Sequence, residues 1–360
     1  MPQPLFVRAW RTPSSATELD ERAWEQLVAE GRRTQLLGRL AARLGDAGVL
    51  AHIPRGAQKA LASESLLAEH ETRVIRWEAA CLARVLADVC DNLILLKGAA
   101  YMAEALPVSR GRLSSDVDIL VPRERLDAVE QALLAHGWAH VKLEPYDQLY
   151  YRQWTHELPP LQHTERETFV DVHHAILPIT SRLQPDVHRL RTLARPARDG
   201  SRWKVLAPEH MVIHSAVHGF HDGELGNPLG DILDIHQLVT EFTARDASFP
   251  STLLAEGWLL GVDVPLGHAL RAASRWLGPM HPALEVLAPS AQARLVDRAV
   301  DMMVLRSLSA TGNLRSAAAG LGLYMRSHWL KMPPLLLARH LTVKLFSKRK
   351  LTGRPELAGR

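Results

Sequence analysis

Two aspartates one residue apart, Asp116 and Asp118, interrupt the apolar run SSDVDILV at residues 114–121. Alternate side chains of a strand share a face, so both carboxylates point the same way, about 6.5–7 Å apart along the chain. Val117 and Ile119 then turn to the other face, into a core. Burying an unpaired carboxylate costs several kcal/mol or more, so the pair demands a compensating partner. Two divalent cations about 3.5–4 Å apart, the arrangement that serves in-line phosphoryl transfer, provide one. The competing reading is a strand end whose aspartates are solvated or cap the helix beginning near Arg123.

The anomaly recurs in TFVDVHHAI, where Asp171 sits inside an alternating apolar run. Strand parity puts Phe169, Asp171 and His173 on one face and Val170, Val172 and His174 on the other; a salt-bridged edge aspartate is the bland alternative. Upstream, NLILLKG (92–98) reads as a buried strand entering a tight Lys97–Gly98 turn and a short helix. Backbone N–H groups at such a helix start, with no Cβ at Gly98, make a phosphate cradle, and Lys97 adds a point charge. Arg112, four residues before Asp116, is placed to neutralise phosphate or to orient a carboxylate. Solvent-facing roles for Lys97 and Arg112 are the ordinary alternatives.

A third group is the histidine run HMVIHSAVHGFHD, with His210, His214, His218 and His221 at spacings of four, four and three. On a helix these form one stripe, in which His214 and His218, with His173 of the third strand, are candidate substrate contacts. His221–Asp222 also resembles the dyad of HD-type metal phosphohydrolases, with Asp231 or Asp234 as the later carboxylate. That fold needs its other histidine a full helix away, which disfavours it. A zinc site at His214 and His218 lacks the acidic residue of HExxH. Asp231 and Asp234, at i and i+3, read as caps or histidine partners, and His156 in WTHELPP as a loop histidine near the third strand.

The elements that must hold these groups are mostly helical. The chain has 360 residues, 47% apolar and 23% charged, with a net charge of +4, enough for two or three domains. This charge permits a polyanionic substrate without requiring nucleic acid. Two cysteines, Cys81 and Cys90, nine positions apart in an expected helix, fall on opposite faces and suggest a reducing compartment. With no apolar stretch of about 18 residues, the expectation is a cytoplasmic protein without a transmembrane segment. Residues 1–90 read as an N-terminal helical region, with a capping-type start at Thr17 and a long helical stretch from Pro54 to Cys90. Residues 91–184 read as a strand–helix–strand–helix–strand unit, residues 185–345 as helical again, and 346–360 as a basic tail. The fold class is α+β: a small mixed-sheet core flanked by helical regions.

The order strand–KG–helix, then R-x-x-x-D-x-D-apolar, then a third strand with apolar-D-apolar-H, resembles the DNA polymerase β-type nucleotidyltransferase superfamily. Within it, LLKGAA, the SDVDILV strand and DVHH are most similar to a bacterial nucleotidyltransferase family of unassigned substrate, over roughly residues 90–240. Ala99 follows Gly98 where the superfamily usually has Gly or Ser, and the interval from Gly98 to Asp116 is longer than in compact members. The resemblance implies Asp116 and Asp118 as catalytic ligands of both of two Mg²⁺ ions, with Asp171 completing the metal site and orienting or deprotonating the attacking hydroxyl, and Lys97, Gly98 and Arg112 as nucleotide contacts. It also implies a nucleoside triphosphate donor, ATP being expected, and an unknown acceptor. Some proteins of this fold bind nucleotide without turning it over, or serve as toxin–antitoxin-type partners. On the catalytic reading Asp118→Asn should abolish transfer and leave the melting temperature little changed or higher.

Overall fold

The structure, a computed structural model, describes residues 3–141, 144–222, 227–285, 290–309, 314–337 and 339. The basic tail at 346–360 and the end of the WAHVKLEP strand candidate at Lys142 and Leu143 lie outside the described residues.

A mixed seven-stranded sheet forms the centre, with strands β1 (Ile94–Leu95), β2 (Asp116–Leu120), β3 (Trp138–His140), β4 (Leu161–His163), β5 (Phe169–His173), β6 (Arg195–Pro196) and β7 (Lys204–Val205). Their order across the sheet is β3-β4-β5-β2-β1-β7-β6. The β2–β5 and β1–β7 pairs are parallel and the others antiparallel. The fold is therefore α+β with helical flanks, as the alternation of textures along the sequence predicts. Beyond residue 185, where the sequence reads as helical, the chain nevertheless supplies β6 and β7. Two-residue strands carry no periodicity, and Pro196 disguises one of them.

Val117, Ile119, Val170 and Val172 are fully buried, so one face of β2 and β5 belongs to the core. The 31-residue helix Arg55–Val85 packs against β2 and against the short helix Lys97–Ala103. It is pinned at several points: Trp203 Nε1 donates to Ala79 O (3.0 Å), Ser114 N–H donates to Glu71 Oε2 (2.9 Å), and Arg166 grips Glu78. The helix ends at Val85, so Cys90 lies past it and the opposite-faces argument for the cysteines does not apply. Both cysteines are free and buried.

The loop carrying Arg112 is seated by backbone contact with the N-terminal helix Leu37–Asp46. At Gly111 (φ +69°) a Cβ would stand 2.2 Å from the carbonyl oxygen of Gly38, and a Cβ on Gly38 would stand 2.7 Å from that of Gly111. Both obstacles are backbone atoms, so neither can swing aside. Gly111→Ala should therefore cost about 2 kcal/mol or more, combining left-handed strain with overpacking, as measured by urea denaturation.

Candidate active site

Parallel register pairs Asp118 with Asp171 directly and Asp116 with Phe169. Asp118 and Asp171 thus stand side by side on the sheet face opposite the valines, with Asp116 two residues along. One carboxylate oxygen from each of the three lies within 4.8 Å of the others. The expected convergence of two β-segments is therefore present.

Their electrostatics are not equivalent. Burial and the neighbouring Asp118 charge push the Asp116 carboxyl up to about 6. The same two causes, joined by Glu157, bring Asp171 to about 6. Burial also pushes Asp118 up, but the Lys97 ammonium and the His173 bond outweigh it and hold Asp118 well below the usual carboxylate range. Lys97 Nζ donates to Asp118 Oδ1 at 2.8 Å, and His173 Nε2 lies 3.1 Å from the same oxygen. Lys97 is in turn held charged: burial lowers its pKa, while Asp118, Asp116 and Glu157 raise it further. It starts the Lys97–Ala103 helix from a left-handed backbone (φ +42°). One cation and one imidazole thus serve one carboxylate, leaving Asp116 and Asp171 in excess.

Gly98 and Arg112 have protein neighbours that the sequence does not show. A Cβ on Gly98 would meet Ser114 Oγ at 2.5 Å and Arg112 Nη1 at 2.8 Å. The room left by this glycine therefore admits the Arg112 loop. Arg112 Nη1 donates to Ser114 Oγ (2.6 Å), while Nε and Nη2 both lie 3.3 Å from Asp234 Oδ2. Asp234 also pairs with the buried Arg39. Arg112 is thus committed to a carboxylate of the Pro228–Arg245 helix, and the Arg39–Asp234–Arg112 chain joins N-terminal helix, core loop and C-terminal helix. The sequence could not show this, because the three residues are separated by up to 195 positions.

Across the site stands the Pro208–Val217 helix, held by a 2.7 Å hydrogen bond between Tyr101 and Ser215 hydroxyls. The histidine stripe does not act as one unit. Each four-residue step advances a helix by about 40° beyond a full turn, and a π-helical turn follows at His218–Asp222. His210 accordingly turns to Glu256 (3.0 Å) and His221 to Ser181 Oγ (2.9 Å). His214 and His218 face Lys97. Burial and that ammonium lower His214 to about 3, and the ammonium, then burial, drive His218 far down. Both imidazoles are neutral. With His221 bonded to Ser181, the HD-dyad reading gains no support; the Asp222 side chain lies outside the described residues.

Two groups gain weight from the structure. Asp231, on the first turn of the Pro228–Arg245 helix, is pushed up to about 7 by burial and by Asp234. It lies within the fields of Arg112 and Lys97 and abuts Gly219, whose Cβ would be 3.2 Å from Asp231 Oδ2. Glu157 reaches the site through an isolated antiparallel bridge to His173. A single bridging residue leaves no pattern in sequence.

The model of a family described as uncharacterised nucleotidyltransferases matches residues 20–278. The chain belongs to this family. The match takes in the helices from Glu21 up to the sheet, every strand, and the two helices that carry His214 and Asp231. The acidic cluster on β2 and β5 is compatible with metal binding. No curated protein matches the chain. Among the described residues no helix is long and apolar enough to cross a membrane.

Proposed function

We propose that this nucleotidyltransferase-family chain moves a nucleoside monophosphate from a nucleoside triphosphate, ATP being the first candidate, to a hydroxyl-type acceptor. An acceptor oxygen bonds to the α-phosphorus, the bond from that phosphorus to the bridging oxygen breaks, and pyrophosphate leaves. The observation that carries this reading is the convergence of Asp116, Asp118 and Asp171 with more negative charge than their protein partners neutralise. That excess suits divalent cations. Two Mg²⁺ ions held by these three side chains would supply charge neutralisation for the triphosphate and the leaving pyrophosphate.

The chain's own residues have separable roles. Lys97 and His173 fix Asp118 as an oriented carboxylate. Arg112, spent on Asp234 and Ser114, positions the loop leading into β2 instead of touching phosphate. His214 and His218 offer neutral N–H donors from the opposite wall. The N-terminal helices brace the core, and the helical C-terminal wall chooses the acceptor. On that wall Asp231, poised near neutrality, takes the proton of the attacking hydroxyl. Asp231→Asn should lower kcat about 10²–10⁴-fold and remove the rise of rate through pH 7, as the pH profile of kcat will show.

The test is incubation with α-labelled nucleoside triphosphates, Mg²⁺ and a panel of hydroxyl acceptors, following pyrophosphate release and label transfer. Label transfer that Asp116→Asn abolishes supports the reading. A second reading, nucleotide binding without turnover, is favoured by the engagement of Asp118 with Lys97 and His173 and by the filling of the Gly98 space. Calorimetric binding of ATP and Mg²⁺ with no pyrophosphate released across the panel would establish it instead.

A further inference from the structure

We propose a second cation site beside the carboxylate triad, in which His156, Glu157 and His173 bind one transition-metal dication of the zinc or cobalt type. It goes beyond the nucleotidyl-transfer reading and does not depend on it. The local backbone brings the three together. Leu158 N–H donates to Val172 O (2.9 Å) and His174 N–H to His156 O (2.8 Å), on either side of the Glu157–His173 bridge. This makes Glu157 and His173 a non-hydrogen-bonded antiparallel pair, the kind whose side chains approach most closely. One donor atom from each of His156, Glu157 and His173 lies within 4.8 Å of the other two.

The second observation is a pair of orphaned ring nitrogens. His156 Nδ1 and His173 Nδ1 are both buried without a hydrogen-bond partner, in residues only 6% and 3% exposed. Their rings stand 5.2 Å apart. His173 presents Nε2 to Asp118 Oδ1 at 3.1 Å. A carboxylate on one ring nitrogen favours the tautomer that leaves a lone pair on the other, as in carboxylate–histidine–zinc triads. Burial lowers the His173 pKa, but Asp118 and Glu157 outweigh it and raise it, so a metal at Nδ1 displaces a proton there. His173 Nδ1 lies 3.4 Å from Glu157 Oε2, matching roughly the 3.4 Å edge of a tetrahedron with bonds of about 2.1 Å. His156 is held neutral chiefly by burial, so its nitrogen need lose no proton to bind. A protonated His173 bridging Asp118 and Glu157 would explain one orphaned nitrogen but leave that of His156 unexplained. Two imidazoles and a carboxylate are a donor set for zinc-like ions and a poor one for Mg²⁺.

Cobalt(II) is the probe. The full chain, stripped with chelator and dialysed into excess Mg²⁺, is titrated with CoCl₂ and followed by visible d–d absorption. One equivalent should bind with intensified bands of low coordination number. Glu157→Gln and His156→Ala should each weaken binding by about 10- to 100-fold or more. Asp116→Asn and Asp171→Asn should leave binding within about 3-fold, which separates this site from the triad. Wild-type chain that binds no cobalt in the presence of Mg²⁺ overturns the proposal whether or not any variant folds. So does cobalt binding lost with Asp116→Asn and retained in Glu157→Gln. Because the readout is metal binding, absence of nucleotidyl transfer leaves the outcome unaffected.

Discussion

Asp118→Asn should remove the proposed nucleotidyl transfer and lower the melting temperature, whereas Asp116→Asn and Asp171→Asn should remove transfer and raise it in metal-free buffer. The split follows from who already partners each carboxylate. Asp118 is paired with Lys97 at 2.8 Å and with His173 at 3.1 Å. Neutralising it strands an ammonium whose side chain is only 21% exposed. Breaking a fully buried pair costs about 3–5 kcal/mol; with Lys97 partly wetted, about 2 kcal/mol is expected. Asp116 and Asp171 have the opposite balance. Each is held near 6 against an ordinary 3.8, so each ionised carboxylate burdens the folded state at pH 7.5. Removing either charge returns about 2 kcal/mol, at 1.36 kcal/mol per pKa unit with allowance for imperfect asparagine bonding. The gains do not add, because losing one charge relieves the other. All three variants should lose at least about 10³-fold in turnover, since phosphoryl-transfer catalysis is almost entirely positioning and charge stabilisation. Thermal melts in EDTA beside pyrophosphate release decide the matter. A stabilised Asp118→Asn would mean that the Lys97 pair is not formed, and unchanged turnover in Asp116→Asn or Asp171→Asn would remove the triad from catalysis.

The sequence expects Asp118→Asn to leave the melting temperature little changed or higher, and the opposite prediction arises because sequence shows only that three carboxylates share a face. It does not show that Lys97 reaches one of them. Face-sharing was legible because period-two alternation fixes parity, whereas the parallel register that sets Asp118 beside Asp171 comes from the fold. The α+β class was legible for the same reason, from strand-like runs between helical ones. What stayed hidden depends on long-range approach. Arg112 reads as a phosphate ligand until the C-terminal helix delivers Asp234. Gly98 reads as a cradle until Ser114 and Arg112 occupy the space beside it. The histidine stripe reads as one face until a π turn re-aims its end. Even the first cap moved: Asp20, not Thr17, accepts the Ala23 N–H (2.8 Å), because the residues before it form a 3₁₀ turn. Local chemistry sets which groups exist; tertiary contacts decide which remain unspent.

Mg²⁺ should stabilise the chain by an amount that grows with pH from about 4.5 to 7. Asp116 and Asp171 titrate near 6 when folded and near 3.8 when unfolded. Between those values the unfolded chain has released protons that the folded chain still holds. Folding stability from these two groups therefore falls as pH rises through the window, and the full penalty stands above about 6. Asp118, held low, runs the other way: its contribution is present above 3.8 and is lost as pH falls through its depressed folded value. A plain pH–stability curve mixes both signs, so the informative quantity is the difference between melts with and without Mg²⁺. A cation competes with protons for Asp116 and Asp171, so the difference is small where they are protonated and largest where both are ionised. At a Mg²⁺ concentration of about 100 Kd the gain reaches about 2.7 kcal/mol. Asp116→Asn and Asp171→Asn should flatten this dependence, while Asp231→Asn, whose carboxyl lies outside the triad, should preserve it. A Mg²⁺ effect that ignores pH, or that survives loss of Asp116, would mean that the ion binds elsewhere and that the excess charge on β2 and β5 serves another cation.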